Sequence, residues 1–200
     1  YLTQTLFCLD EPTSGLHPKD TGRLLDIMVE LKNQGNTVVV VEHEQKVIEK
    51  AEHLITIGPD SGERGGKLCF QGKPEQLDAT VFSWSSNQSK SFTKFFELSG
   101  AAVHNLKNVR VKFPVKGLVG ICGVSGSGKT SLIRHALFPM LEKEVYGKEN
   151  KSLSKDLKLE PKLKKTFKDV FFVSQEPISR NSRSTIATYL GIYDDVRKAY

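Results

Sequence analysis

The apolar residues of this chain gather into short unbroken runs. Thr5-Leu-Phe-Cys-Leu9, Thr37-Val-Val-Val-Val41, Leu54-Ile-Thr-Ile57, Leu118-Val-Gly-Ile-Cys122 and Val170-Phe-Phe-Val173 are each four or five residues long, and the second is β-branched at every position. Runs of that length without alternation predict strands buried on both faces, as in a parallel sheet. Leu106 to Phe113 instead alternates apolar with polar residues and predicts an edge strand. Helical spacing occurs between the runs. Leu24, Ile27, Met28 and Leu31 fall at i, i+3, i+4 and i+7, which predicts one buried face of a helix that starts at Pro18 and ends at Gly35. A short helix is expected over Glu44 to Ala51, and another over Thr130 to Phe138, stopped by Pro139. Lys67-Leu-Cys-Phe70 follows the turns at Gly58–Gly62 and Arg64–Gly66 and reads as a hairpin partner of the run at 54–57. Gly72 to Leu77 begins a further short helix. The fold class implied is α/β with a largely parallel sheet.

Two stretches lack this patterning. Ala79 to Lys94 crowds five serines with Asn87 and Gln88, the composition of a linker. Glu142 to Lys168 holds nine lysines and five acids with little periodicity, and reads as an exposed insert with possible nucleic-acid contacts.

Composition narrows the class. Apolar residues make up 38% of the 200 residues and charged ones 26%, which suits a globular protein with a real core. No run approaches the ~20 residues of a membrane-spanning helix, and no signal peptide is visible. The chain opens on Tyr1 and closes on Tyr200 inside an apparent helix, so a piece of a longer protein is expected. Cys8, Cys69 and Cys122 lie far apart and make no metal-binding pair, so zinc is expected only outside this segment. A reducing cytoplasm suits free cysteines of this kind. Charge is uneven: residues 1–80 carry 8 basic against 13 acidic side chains, and residues 81–200 carry 21 against 10. The basic half is the one suited to phosphates.

Within that half lies Gly123-Val-Ser-Gly-Ser-Gly-Lys-Thr130, flanked by a strand and a helix. The spacing is that of a phosphate-binding loop. Gly123, Gly126 and Gly128 let the backbone wrap a phosphate, the amides of Ser125 to Lys129 point inward, and the helix start adds a favourable dipole. Lys129 is expected to reach the β- and γ-phosphates of ATP, and Thr130 to hold Mg²⁺. Far upstream, the run at 5–9 ends in Asp10-Glu11. A buried strand delivering two carboxylates suits an aspartate that holds Mg²⁺ and a glutamate that polarises an attacking water. Glu42-His43 leaves the end of the run at 37–41, on the sheet edge where open α/β sheets bind ligands, and His43 is expected to touch the γ-phosphate.

The order of these motifs is unusual, because within one ATPase domain of this kind the phosphate loop precedes the carboxylates. Leu9-Asp-Glu-Pro-Thr-Ser-Gly-Leu-His17, Asn36 to His43, Ile57 to Gly66, Gly72-Lys-Pro-Glu-Gln76, Asn105-Leu-Lys-Asn108 and Gly123 to Thr130 together resemble the UvrA family, ATPases of the ABC class with two nucleotide-binding domains in tandem. Ser174-Gln-Glu-Pro-Ile-Ser-Arg180 is similar to the family's glutamine loop, with two prolines and a glycine of the family pattern replaced in it and in the stretch that follows. The resemblance implies DNA-damage recognition in nucleotide excision repair, with DNA, excinuclease partner subunits and a homodimer as partners of the complete protein. It implies that Gln175 contacts the nucleotide and Mg²⁺. It also implies two partial nucleotide-binding domains: residues 1–78 close a first, 79–94 link, and 95–200 open a second. On that reading the catalytic Glu11 and His43 and the phosphate loop serve different sites, and the chain alone binds ATP weakly without turning it over. The ATPase of a transport or drug-resistance system is the alternative, against which His17 stands where transporters carry aspartate. A third reading is a permuted domain in which residues 1–78 and 95–200 complete one site.

Overall fold

The structure is a computed structural model that describes residues 3–76, 91–148, 150, 153–161, 163 and 166–174. Gln175 and much of the stretch read as a linker fall outside the described residues.

The apolar runs become strands β1 (Thr5–Asp10), β2 (Thr37–Val41), β3 (His53–Gly58), β7 (Leu118–Cys122) and β9 (Asp169–Val173), all parallel where they pair. With β4 (Lys67–Gly72), antiparallel to β3, they form one six-stranded sheet in the order β4-β3-β7-β2-β1-β9. A second, three-stranded sheet has the order β6-β5-β8, from β5 (Phe95–Ala101), β6 (Val109–Pro114) and β8 (Lys158–Glu160). Helix α1 (Pro18–Asn33) crosses from β1 to β2, and α2 (Gln45–Lys50) from β2 to β3.

Described strands of both segments, 1–78 and 95–200, share the six-stranded sheet. The physical reason is the slot between β2 and β3. Thr37–Val41 is buried at every residue and cannot be an edge, so it needs a strand on each side. β7 supplies that neighbour to both: Val39 pairs with Val119, and Leu54 with Gly120. Backbone bonds seal the seam, with the Val38 amide donating to Gly117 (2.9 Å) and the Glu52 amide to Leu118 (2.8 Å). Glu52 then accepts from the Leu118 amide at 3.1 Å and from the Lys32 ammonium at 3.1 Å, joining β7 to the end of α1.

The sheet divides the core by parity. Phe7, Leu9, Val38 and Val40 face α1, against Leu25 and Met28. Leu6, Cys8, Val39, Val41, Val119 and Ile121 face the other way, against the segment after the phosphate loop and the small sheet, where Phe96 and Phe113 stack at 5.1 Å.

Five further expectations change. The buried face of α1 centres on Thr21, Leu25 and Met28, while Ile27, about 100° round from Met28, is 53% exposed. Pro139 does not stop its helix: Ser131–Leu137 is a π-helix that runs straight into α3 (Phe138–Tyr146), and the wider turn accommodates the missing proline amide. The lysine-rich stretch is not simply an exposed insert, because Leu157, Leu159, Leu163 and Phe167 are buried beneath the small sheet and β8 pairs with β5. Among the described strands β9 lies at the edge of the sheet, with Phe171 and Val173 exposed while Val170 is buried. Among the described residues, the stretch from Gly72 forms a 3₁₀ turn at Pro74–Gln76 where a short helix was expected.

Candidate nucleotide-binding site

Parallel strands deliver their C-terminal ends to one edge, so Asp10, His43 and Gly123 emerge on the same side of the sheet. Asp10 has the parity of Leu6 and Cys8 and faces the segment that follows the phosphate loop. Its Oδ1 accepts a 3.1 Å hydrogen bond from the Thr130 hydroxyl. Residues 120 positions apart in the chain thus meet at the two positions where Mg²⁺ ligands were expected. Asp10 is 5% exposed, and burial raises its carboxyl above the usual carboxylate range, with the Thr130 bond acting in the opposite direction.

Glu11 follows with φ of 45°, a left-handed conformation that favours glycine. Its amide donates to Val41 at 2.9 Å, which fixes it against the end of β2. Together with Ser125, Gly126, Gly128, Lys129 and Thr130, it lines a polar cavity of about 310 Å³. The Lys129 ammonium, almost fully buried, donates to the carbonyls of Gly123 (2.9 Å) and Val124 (3.0 Å) across its own loop.

The donor set fits a Mg²⁺-bound nucleotide on three observations. A Cβ on Gly123, at φ of 143°, would lie 1.9 Å from the Ile57 carbonyl, so only glycine allows the loop to turn there. Ser127 Oγ is fully buried under the loop with no hydrogen-bond partner among the described residues. Asp10 and Thr130 offer the hard oxygen ligands Mg²⁺ requires. These residues, with Lys129, would hold the nucleotide and its ion.

His43 does not line this cavity. It is exposed and borders a cleft of about 520 Å³ with Ile48, Thr56, Phe70, Gly123 and Val124, whereas Glu11 and Lys129 line the phosphate cavity. The carboxylate beside it has the stronger structural tie. Glu42, 1% exposed, accepts from the Thr13 amide (2.9 Å) and hydroxyl (2.7 Å) with one oxygen. Its other oxygen accepts from the amides of His43 (3.1 Å) and Glu44 (3.4 Å). Nothing local to the sequence distinguishes this glutamate from a solvent-facing one. His17 caps α1, its Nδ1 accepting from the Lys19 amide at 3.3 Å.

Among the described residues, no group of three or more His, Cys, Asp or Glu side chains is placed to hold a metal, and no helix is long and apolar enough to cross a membrane. No family model matches the chain. Over its whole length it is 39% identical to the UvrABC system protein A of Mycoplasma genitalium, covering 22% of that protein. It is 37% identical over its whole length to that of Aquifex aeolicus, covering 23%, and 35% identical to that of Bacillus subtilis, covering 22%. Among solved structures it is similar to UvrA2 from Deinococcus radiodurans, at 36% identity over 96% of this chain and 24% of that one, with a TM-score of 0.44. The chain spans less than a quarter of the length of these relatives.

Proposed function

Because the chain belongs to the UvrA family, we propose that it is the ATP- and Mg²⁺-binding part of a UvrA-like ATPase that acts in recognising damaged DNA during nucleotide excision repair. The observation that carries the nucleotide reading is the 3.1 Å bond between Thr130 and Asp10. It supports one composite site in which the phosphate loop and the carboxylates of the same chain face the same ion. DNA, excinuclease partner subunits and a second copy of the protein are the proposed partners of the longer protein.

Bound Mg²⁺ supplies Lewis-acid charge neutralisation at the phosphates. The chain's own residues do the rest. The glycine loop presents its amides to the phosphate oxygens, in a fixed geometry that needs no reorganisation on binding. Lys129 exchanges its bonds to the Gly123 and Val124 carbonyls for phosphate oxygens, so its ammonium remains hydrogen-bonded throughout. Thr130 and Asp10 keep their hydroxyl and carboxylate oxygens within reach of one ion. Glu11, held in place by its bond to Val41, is the base that orients water and accepts its proton. His43 borders the adjoining cleft rather than the phosphate cavity and takes no step here. Phosphoryl transfer depends on positioning and preorganised charge, so the chain alone binds ATP weakly and hydrolysis is slow without a contribution from elsewhere in the protein.

Titration of the chain with a fluorescent ATP analogue in Mg²⁺ buffer tests this. Lys129→Ala removes a charge-assisted contact of about 1.5–3 kcal/mol and is expected to weaken binding roughly ten- to a hundredfold. Equal affinities in the two proteins would refute the assignment.

A further inference from the structure

A loop that turns its amides inward on a phosphate must turn carbonyls outward, and those carbonyls need donors. The structure supplies donors for two of them from chain segments the proposed chemistry does not use. The Gly62 amide donates to the Gly126 carbonyl at 3.1 Å, and the Gly66 amide to the Ser127 carbonyl at 2.8 Å. Asn105 bridges the two segments: its Nδ2 donates to Gly126 at 2.9 Å and to the Gly62 carbonyl at 3.3 Å. Lys107 closes the arrangement, its amide donating to Gly66 at 2.8 Å and its ammonium to the Glu63 carbonyl.

The turn can dock this closely only because it is made of glycine. A Cβ on Gly66, at φ of 73°, would sit 1.8 Å from the Asn105 carbonyl, and one on Gly65 would sit 2.3 Å from the Asp60 carbonyl and 3.2 Å from Ser127 Cα. Asn105 also approaches the loop from the far side, 3.0 Å from where a Cβ on Gly128 would lie, and lines the phosphate cavity. The turn at 61–66 and the segment at 105–107 thus grip the outer surface of the loop.

We infer that Asn105, with the Gly62–Gly66 turn, is a positioning element that holds the carbonyls of Gly126 and Ser127 outward and so keeps the loop amides aimed at phosphate. This rests on the reading of 123–130 as a nucleotide site. Without these donors a peptide flip would satisfy either carbonyl, and would aim an oxygen where an anion is to bind. Asn105→Ala removes two donated bonds and is expected to weaken nucleotide binding about two- to tenfold. Asn105→Asp, which sets a carboxylate against two carbonyls, is expected to weaken it further.

The test compares wild type, Asn105→Ala, Asn105→Asp and Lys129→Ala by titration with the fluorescent ATP analogue, and by amide hydrogen exchange without nucleotide. The expected result is weaker binding in both Asn105 variants together with faster exchange at Gly126 to Lys129. Wild-type affinity in Asn105→Ala, alongside weak binding in Lys129→Ala, overturns the inference and leaves the nucleotide site standing. Weak binding with unchanged loop exchange overturns it too, because Asn105 then acts by touching the ligand. If Lys129→Ala binds normally, the nucleotide reading fails, and faster loop exchange in Asn105→Ala alone decides for the clamp. Should the Asn105 variants not fold, exchange in the wild type decides. Gly62 and Gly66 amides protected to the same degree as those of 126–129 support the clamp, and unprotected ones overturn it.

Discussion

Glu11 holds a φ of 45° that costs a side-chain-bearing residue of order 1–2 kcal/mol. The conformation is imposed by its neighbours: its amide must reach Val41 while its side chain turns into the phosphate cavity. Strain and chemistry can therefore be separated by substitution. Glu11→Gly is expected to be more stable than Glu11→Ala by about 1 kcal/mol in urea unfolding, because only glycine adopts this conformation without penalty. Glu11→Gln, which keeps shape and strain, is expected to match the wild type in both stability and nucleotide affinity while slowing any hydrolysis, since an amide cannot accept the proton. A Gly variant no more stable than the Ala variant would remove the strain argument. Of this candidate site, the phosphate loop is the part legible from spacing alone, because glycines, a lysine and a threonine in that order between a strand and a helix admit few other uses; Asp10-Glu11 gains meaning only from the residues that follow it. Asn105 and Glu42 cannot be read that way. Their roles come from distant backbone groups, Gly126 and Gly62 for one and Thr13 for the other, and no spacing rule links them.

The elements show where periodicity informs and where it fails. The all-apolar runs became strands with nearly the expected bounds; burial on both faces accounts for the apolar residues of β1, β2 and β7, but not for β9, where Phe171 and Val173 are exposed. The lysine-rich stretch misled because charge counts hide a sparse pattern: Leu157 and Leu159 alternate, and Leu163 and Phe167 stand four apart, enough to bury one side. Pro139 misled because a π-turn can absorb a missing amide. At the start of β3, His53 offers a test of how the two segments meet. It is buried between the rings of Phe92 and Phe95, at 6.5 and 6.1 Å. Burial lowers its pKa from 6.5 to about 4, with the Lys112 backbone partly countering. The unfolded chain takes up the proton first as pH falls, so this contribution is fully present above pH 6.5 and is lost between there and about pH 4. The loss is expected to reach at most about 3 kcal/mol. His53→Phe should flatten the stability profile over that window, as followed by urea unfolding at a series of pH values. An unchanged slope would show that His53 is not the group responsible.

At the scale of the whole molecule, the decisive fact is the order β3-β7-β2, which inserts a strand from one segment between two strands of the other. A run buried on both faces announces that it needs neighbours without saying which; the motif order pointed to two tandem domains, and the permuted single domain was the reading that puts strands of both segments side by side. Interleaving predicts a single cooperative unfolding transition, with calorimetric and van't Hoff enthalpies equal. Two separated transitions would show segments 1–78 and 95–200 folding as independent units. The central claim is narrower: Asp10 and Thr130 of the same chain serve one ion. The measurement that tests it most directly is Mn²⁺ binding, followed by electron paramagnetic resonance in the presence of ATP, in wild type, Thr130→Ala and Asp10→Asn. The account predicts that both substitutions weaken the Mn²⁺·ATP complex, each by roughly ten- to a hundredfold for the loss of a charged or metal-bound oxygen. A wild-type affinity in Asp10→Asn with a loss in Thr130→Ala would contradict it, and would assign Asp10 to a different site from the phosphate loop beside it.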